Sequence, residues 1–130
     1  MTVLESKIQS DIRVALGAET DLVLWRNSTG MVESVDVDSS GMVSGRKHRF
    51  GLAVGSADLV GILRVVDDEY PAYVIGRFVA LEVKRPGGRI RPEQTTWLEC
   101  VRRFGGFAAV VDSIESAKAA IERARNGESQ

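Results

Sequence analysis

Apolar residues recur every four positions at Leu4, Ile8, Ile12 and Leu16, the spacing that lines one face of a helix. Thr2 and Glu5 stand at the spacing of a capping box, and Gly17 supplies a stop, so a helix is predicted over 2–17. Residues 21–27 (Asp-Leu-Val-Leu-Trp-Arg-Asn) predict a strand. The pattern then fails. Residues 28–49 are polar and rich in Gly and Ser, and only Val35 and Val37 alternate with Asp36 and Asp38. That predicts no more than a short irregular hairpin. Residues 57–66 and 77–84 predict two further strands, with a turn at Asp67-Asp68-Glu69 between them. The near-continuous apolar run of the second marks a central strand covered on both faces. Arg85-Pro86-Gly87-Gly88 breaks it, Pro92 opens a helix that runs to Phe104, and Gly105-Gly106 stops that helix. A short buried strand at 107–111 follows. Ser113 caps a last helix with the stripe Ile114, Ala117, Ile121 and Ala124.

The order helix, strands, helix, strand, helix predicts an α/β fold with a mixed central sheet flanked by helices. A chain of 130 residues, 44% hydrophobic and 27% charged, is expected to fold as a single domain over 1–130. The net charge of −1 provides no global positive field, so any nucleic-acid role must rest on local patches. Two stand out. Arg46-Lys47-His48-Arg49 is a basic cluster expected in a loop, and residues 84–103 hold Lys84, Arg85, Arg89, Arg91, Arg102 and Arg103 against Glu93 and Glu99. One cysteine and one histidine exclude a disulfide framework, a cysteine-built zinc site and paired-histidine catalysis within one chain. No apolar run approaches the ~20 residues of a membrane helix, and the first residues lack a leader's apolar stretch. The expectation is a cytoplasmic protein with no membrane partner.

The chemistry concentrates at strand ends. In Leu81-Glu82-Val83-Lys84, alternation puts Glu82 and Lys84 on one face, ~6.7 Å apart along the strand, and Val83 on the other. Charges closing an apolar strand need partners. A plain ion pair at the strand's wet end is the modest reading. Asp58 opens another apolar strand within Gly55-Ser56-Ala57-Asp58-Leu59-Val60-Gly61, as a turn-closing Asp also would. Gln94 heads the helical stripe of Trp97, Leu98 and Val101. It therefore faces inward and needs a partner, which backbone at the helix end could provide. Both tryptophans, Trp25 and Trp97, read as core, and His48 as a surface or phosphate-contacting residue. Asp36-Val37-Asp38-Ser39-Ser40-Gly41 mimics half a calcium loop, but Lys47 stands where the bidentate Glu belongs, so a hairpin turn is expected. Two carboxylates can hold a hard divalent cation such as magnesium through oxygen. Such an ion makes water a better nucleophile.

Taken together, Asp58, Glu82-Val83-Lys84 and Gln94 resemble the active-site pattern of the PD-(D/E)XK nuclease superfamily. Within it the chain resembles the VRR-NUC family of virus-type replication and repair nucleases. The likeness begins at the helix bearing Glu5, passes through Arg26-Asn27, Gly30 and Gly55–Gly61, and ends at Phe107–Asp112. It implies a restriction-endonuclease-like fold, an αβββαβ core with a C-terminal helix. It implies Asp58 and Glu82 as metal-binding carboxylates and the Val83 main-chain carbonyl as a further ligand. Lys84 would be the catalytic lysine and Gln94 the active-site glutamine. Glu5 would complete the site through a water on the metal, although the capping box alone also accounts for it. Arg46, Lys47, Arg49, Arg85, Arg89 and Arg91 would meet nucleic acid. Ala57 departs from the proline in the superfamily's name, and the 31–49 segment has no counterpart in the pattern. The implied protein is a homodimeric endonuclease that uses Mg2+, or Mn2+ in its place. It would cut branched DNA such as Holliday junctions in a bacterial cell or a phage-infected host. A catalytically silent DNA-binding module of this fold, or a structural partner with no nucleic-acid role, stands as the alternative.

Overall fold

The structure is a computed structural model that describes residues 2–70 and 72–130. The first helix, α1 (Val3–Leu16), starts from a capping box: Thr2 Oγ1 accepts from the Glu5 N–H, and Glu5 Oε2 accepts from the Thr2 N–H. Its buried side is Glu5, Gln9, Ile12 and Leu16, with Ile8 packed beside them. Leu4, expected on the apolar stripe, is 51% exposed. The helix is rotated so that two polar residues near its start face inward.

Strands β1 (Leu22–Arg26), β4 (Leu59–Val66), β5 (Val74–Val83) and β6 (Phe107–Val111) form one sheet in the order β1-β4-β5-β6. The first two pairings are antiparallel and β5–β6 is parallel, as a crossover through α2 (Pro92–Arg103) requires. The central strand β5 begins at Val74, three residues before the expected start, because Val74–Gly76 pair with Val66–Arg64. One face of the sheet, with Leu59, Leu63, Val79, Leu81 and Val83, packs on α1 and on α3 (Ile114–Arg125). The other face, with Ala57, Ala80 and Ala108, packs on Leu98, Trp97 and Val101 of α2. Leaving the hairpin aside, the chain order is αβββαβ followed by α3. This is the restriction-endonuclease-like arrangement, a mixed sheet between helices.

Strands β2 (Gly30–Val37) and β3 (Val43–Phe50) correct the sequence reading. They do form a hairpin, but a long and regular antiparallel one of eight residues a side, paired from Gly30↔Phe50 to Val37↔Val43. The Arg46–Arg49 cluster therefore lies on a strand and not in a loop. Hydrophobic alternation is absent because neither face packs on a core: every residue of β3 is exposed. Asp38 closes the turn by accepting the Ser40 and Met42 N–H groups and the Ser40 hydroxyl on Oδ1. That is a hairpin role with no calcium loop. Trp25 also departs from expectation. It is 51% exposed because α2 covers the β5–β6 side of its face and leaves β1 open. Trp97 does pack, edge-on to Phe78 with ring centroids 6.3 Å apart.

Candidate active site

Asp58 and Glu82 come together because β4 and β5 are neighbours and the polar residues fall just past their last shared rungs. Leu59 pairs with Leu81, so Asp58 precedes β4 where Glu82 and Val83 finish β5. Asp58 Oδ2 accepts from the Val83 N–H at 2.9 Å. In a strand the N–H and C=O of one residue point to the same neighbour, so the Val83 carbonyl also faces the Asp58 side. Val83's own side chain lies in the core on the opposite face from Glu82, as alternation requires.

Glu82 is 2% exposed. Its Oε1 accepts from Gln94 Nε2 at 2.8 Å and lies 3.5 Å from Lys84 Nζ. Its Oε2 is buried with no partner among the described residues. Burial first, and the negative charge of Asp58 second, push the Glu82 carboxyl up to about 8, against the pull of Lys84. Burial likewise raises Asp58 above its ordinary value, and Glu5 adds to this, although the Val83 N–H, a hydrogen bond with the Glu82 carboxyl when that is protonated, and Lys84 act the other way. The pair is thus short of positive charge.

Gln94 satisfies both readings of it at once. Its Oε1 accepts from the Arg91 N–H at 2.9 Å, which caps α2, and its Nε2 reaches Glu82. With its oxygen held by the cap, the amide has only N–H left to give, so it can meet Glu82 only as a donor. The start of α2 is itself held by Gly55. That residue has φ +83°, and a Cβ there would sit 2.4 Å from the Glu93 carbonyl oxygen. Only glycine allows both the left-handed backbone and this approach.

Glu5 lines the same cleft, and its charge adds to the raising of Asp58. Its carboxylate accepts from the Thr2 N–H at 3.2 Å and the Arg85 N–H at 3.5 Å. Burial alone would raise its pKa, but these two bonds, with the charge of Lys84, hold it below the usual value. Among the described residues no three His, Cys, Asp or Glu side chains gather as a metal cluster. Side-chain oxygen for a cation therefore comes from Asp58 and Glu82, with the Val83 carbonyl on the same side. The orphaned Glu82 Oε2 and the two raised carboxylates fit a hard divalent ion, which would relieve both the repulsion and the unpaired oxygen.

The cleft holds about 470 Å³, and Glu5, Asp58, Glu82, Lys84 and Gln94 all line it. Arg89 and Arg91 stand on its wall, with Arg91 Nε 3.3 Å from Glu93 Oε1. Arg85 contributes its backbone N–H to Glu5. Arg46, Lys47 and Arg49 lie out on the hairpin. Of these, Arg49 joins Arg91 in a second groove of about 240 Å³ at the hairpin's root.

Sequence reasoning assigns no role to Asn27. Its Nδ2 donates to Ser56 Oγ and the Ala57 carbonyl, both at 2.8 Å, and its N–H donates to the Asp58 carbonyl at 2.8 Å. Asn27 thereby fixes the loop that presents Asp58. Gln9 is likewise buried and lines the cleft. Its signal was available, since it lies one turn beyond Glu5 on the same helix side.

The family model of the VRR-NUC domain matches residues 46–115, more than half of the chain. The match spans Asp58, Glu82, Lys84 and Gln94 and leaves outside α1 with Glu5, β1, β2, the start of β3 and most of α3. No curated protein matches the chain. With a mixed sheet between helices and a carboxylate pair, lysine and glutamine at one end of it, the chain belongs to the VRR-NUC family, nucleases of the PD-(D/E)XK type.

Proposed function

We propose that this protein is a divalent-metal-dependent endonuclease that hydrolyses DNA phosphodiesters and selects branched DNA such as a four-way junction. The observation that carries the metal reading is the Asp58–Glu82 pair: two buried carboxylates with raised affinity for protons, one of them with an unpartnered oxygen. A bound Mg2+ or Mn2+ would polarise the phosphate and lower the pKa of water. Asp58, Glu82 and the Val83 carbonyl would hold it. Lys84, beside Glu82, would orient the attacking water and offset charge as it grows on the phosphate. Gln94 would keep the Glu82 oxygen turned toward the pair. Glu5, held by two backbone N–H groups, would meet the ion only through water. Attack forms a new P–O bond from water and breaks the P–O bond to the departing sugar oxygen, which takes up a proton. Arg89 and Arg91 on the wall would seat the strand being cut.

Selection of branches and action as a homodimer rest on the family's implied habit and on charge. A chain of net charge −1 sets Lys84, Arg89 and Arg91 on its cleft and Arg46, Lys47 and Arg49 on its hairpin, and a two-fold pair of such sites suits paired incisions across a junction. The test is cleavage of a labelled four-way junction and of a linear duplex, each with and without magnesium, with light scattering of the protein alone. Magnesium-dependent cutting of the junction by a dimer is expected. Cutting that proceeds equally in a chelator would remove the metal reading, and equal cutting of both DNAs by a monomer would remove the selective dimer.

A further inference from the structure

The hairpin is the part of the molecule whose shape the hydrolytic site does not explain. Its eight cross-strand rungs would span ~26 Å of strand, and a two-stranded hairpin alone in water is marginal. Yet all but two of its strand residues, Gly30 and Ser34, are exposed. Its side chains are open to a partner of complementary chemistry.

The pairing register sorts its residues onto two faces. Residues directly opposite share a face, and the face changes at each step. Met31↔Arg49 and Glu33↔Lys47 lie on one face, and Val32↔His48 and Ser34↔Arg46 on the other. Each face therefore carries two basic side chains, all in the half nearest the cleft. The half beyond carries Asp36 and Asp38. On the first face, Arg49 shares a groove with Arg91, and Arg91 lines the catalytic cleft. Arg91, Arg49 and Lys47 thus succeed one another outward from the cleft, with Glu93 beside Arg91 and Glu33 opposite Lys47. On the second face, Arg46 lies with the His48 imidazole, whose Nε2 is 3.2 Å from Ser34 Oγ, and with the half-exposed Val32 and Phe50.

We infer that the root half of this hairpin is a two-sided wedge between two duplex arms of branched DNA. The Arg49–Lys47 face holds the arm that enters the cleft, and the Arg46–His48 face holds the arm that diverges from it. A single cationic face would favour any duplex, since phosphate contacts carry no information about branching. Basic residues on both faces of an uncovered ribbon gain their full contact only where two duplexes part. A two-stranded ribbon is also slim enough to enter the space between strands or a major groove. The acidic outer half limits the contact to the root. The inference rests on the branched-DNA reading above and names the element that would deliver it.

The experiment compares two double variants, Lys47→Ala with Arg49→Ala and Arg46→Ala with His48→Ala. Each is made in a Glu82→Gln background so that DNA binds uncut. Affinity is measured for a fluorescent four-way junction and for a linear duplex of equal length. All four positions are exposed, so circular dichroism should show an unchanged fold. The first pair should weaken both DNAs by a similar factor, on the order of tenfold. The second should weaken the junction at least fivefold more than the linear duplex. Equal losses on both DNAs from both pairs would make the hairpin a plain electrostatic arm and overturn the wedge, as would no loss from either pair. Failure of the underlying reading looks different. The chain with an intact hairpin would then bind junction and linear duplex alike, and the wedge would fall with it.

Discussion

The two charged regions of this chain are built on opposite terms. At the sheet's end, Glu82 is buried on a central strand and held by Gln94 and Lys84, and packing on both faces leaves its backbone no freedom. On the hairpin, Arg46, Lys47, His48 and Arg49 are exposed and held only by cross-strand rungs. The first region carries electrostatic stress within the fold, which a cation can relieve. The second carries little stress and leaves its charge free for a partner. Substitutions at the sheet's end should therefore change chemistry and stability together. Those on the hairpin should change binding and leave stability alone.

The largest effect is expected at the carboxylate pair. Glu82→Gln and Asp58→Asn should each reduce cleavage to background while DNA binding persists. The same change should help the metal-free fold. Glu82 keeps its proton to about pH 8 in the folded chain but loses it near the ordinary glutamate value when unfolded. The folded state thus binds more protons between those values, and its stability falls as pH rises through that window. Asp58, raised by burial as well, acts in the same direction. Glu82→Gln should flatten that slope and raise metal-free stability at pH 8 by on the order of 2 kcal/mol. Denaturant melts at pH 5 and pH 8 would check it. A variant less stable than the parent at pH 8 would show that the carboxylate is not under stress.

Lys84→Ala comes next, with turnover reduced ~10²-fold or more, the usual scale for a lost electrostatic or proton-handling group. Metal binding followed by calorimetry should survive. Collapse of metal affinity with the rate at saturating metal unchanged would give Lys84 a purely structural part.

Two glycines with the same backbone sharpen the contrast. Gly55 and Gly41 both have φ +83°, but a Cβ at Gly55 would strike the Glu93 carbonyl, while one at Gly41 meets nothing within 4 Å. Gly41→Ala should cost only backbone strain, about 1 kcal/mol, and leave cleavage intact. Gly55→Ala should cost more, about 3 kcal/mol. It should also slow cleavage, because it pushes away the turn of α2 that carries Gln94. Equal melting shifts for the two would mean that α2 is not seated on this loop.

These particulars also show what the sequence made legible. The three helices and the four sheet strands were readable because each buries a face, and burial imposes a period of 3.6 or 2 on the residues. Glu82, Lys84 and Gln94 were readable as exceptions to such periods, polar residues where an apolar one was due. The hairpin's length and regularity were not, since an element covered on neither face has no reason to alternate. Trp25 misled for the reverse reason. A strand residue spaced for a core stays half-exposed when the helix above covers only the neighbouring strands. Gly55 against the Glu93 carbonyl and the Asn27 N–H on the Asp58 carbonyl are contacts across 38 and 31 positions, and no local pattern announces them.

The smallest effect is the most direct probe of the hairpin. Arg46→Ala with Lys47→Ala removes one cation from each of its faces. Each lost phosphate contact should lower the slope of log affinity against log salt by ~0.9. On a linear duplex only Lys47 has a phosphate to meet, so the slope should fall by about one contact per chain. On a junction both faces are engaged, and it should fall by about two. Thermal stability and metal affinity should not move, because neither side chain touches the sheet's end. Salt titrations of both DNAs would decide it. A slope unchanged on either DNA would return these residues to plain solvated surface. Equal reductions on the two would keep the hairpin as a DNA contact but remove the division of labour between its faces.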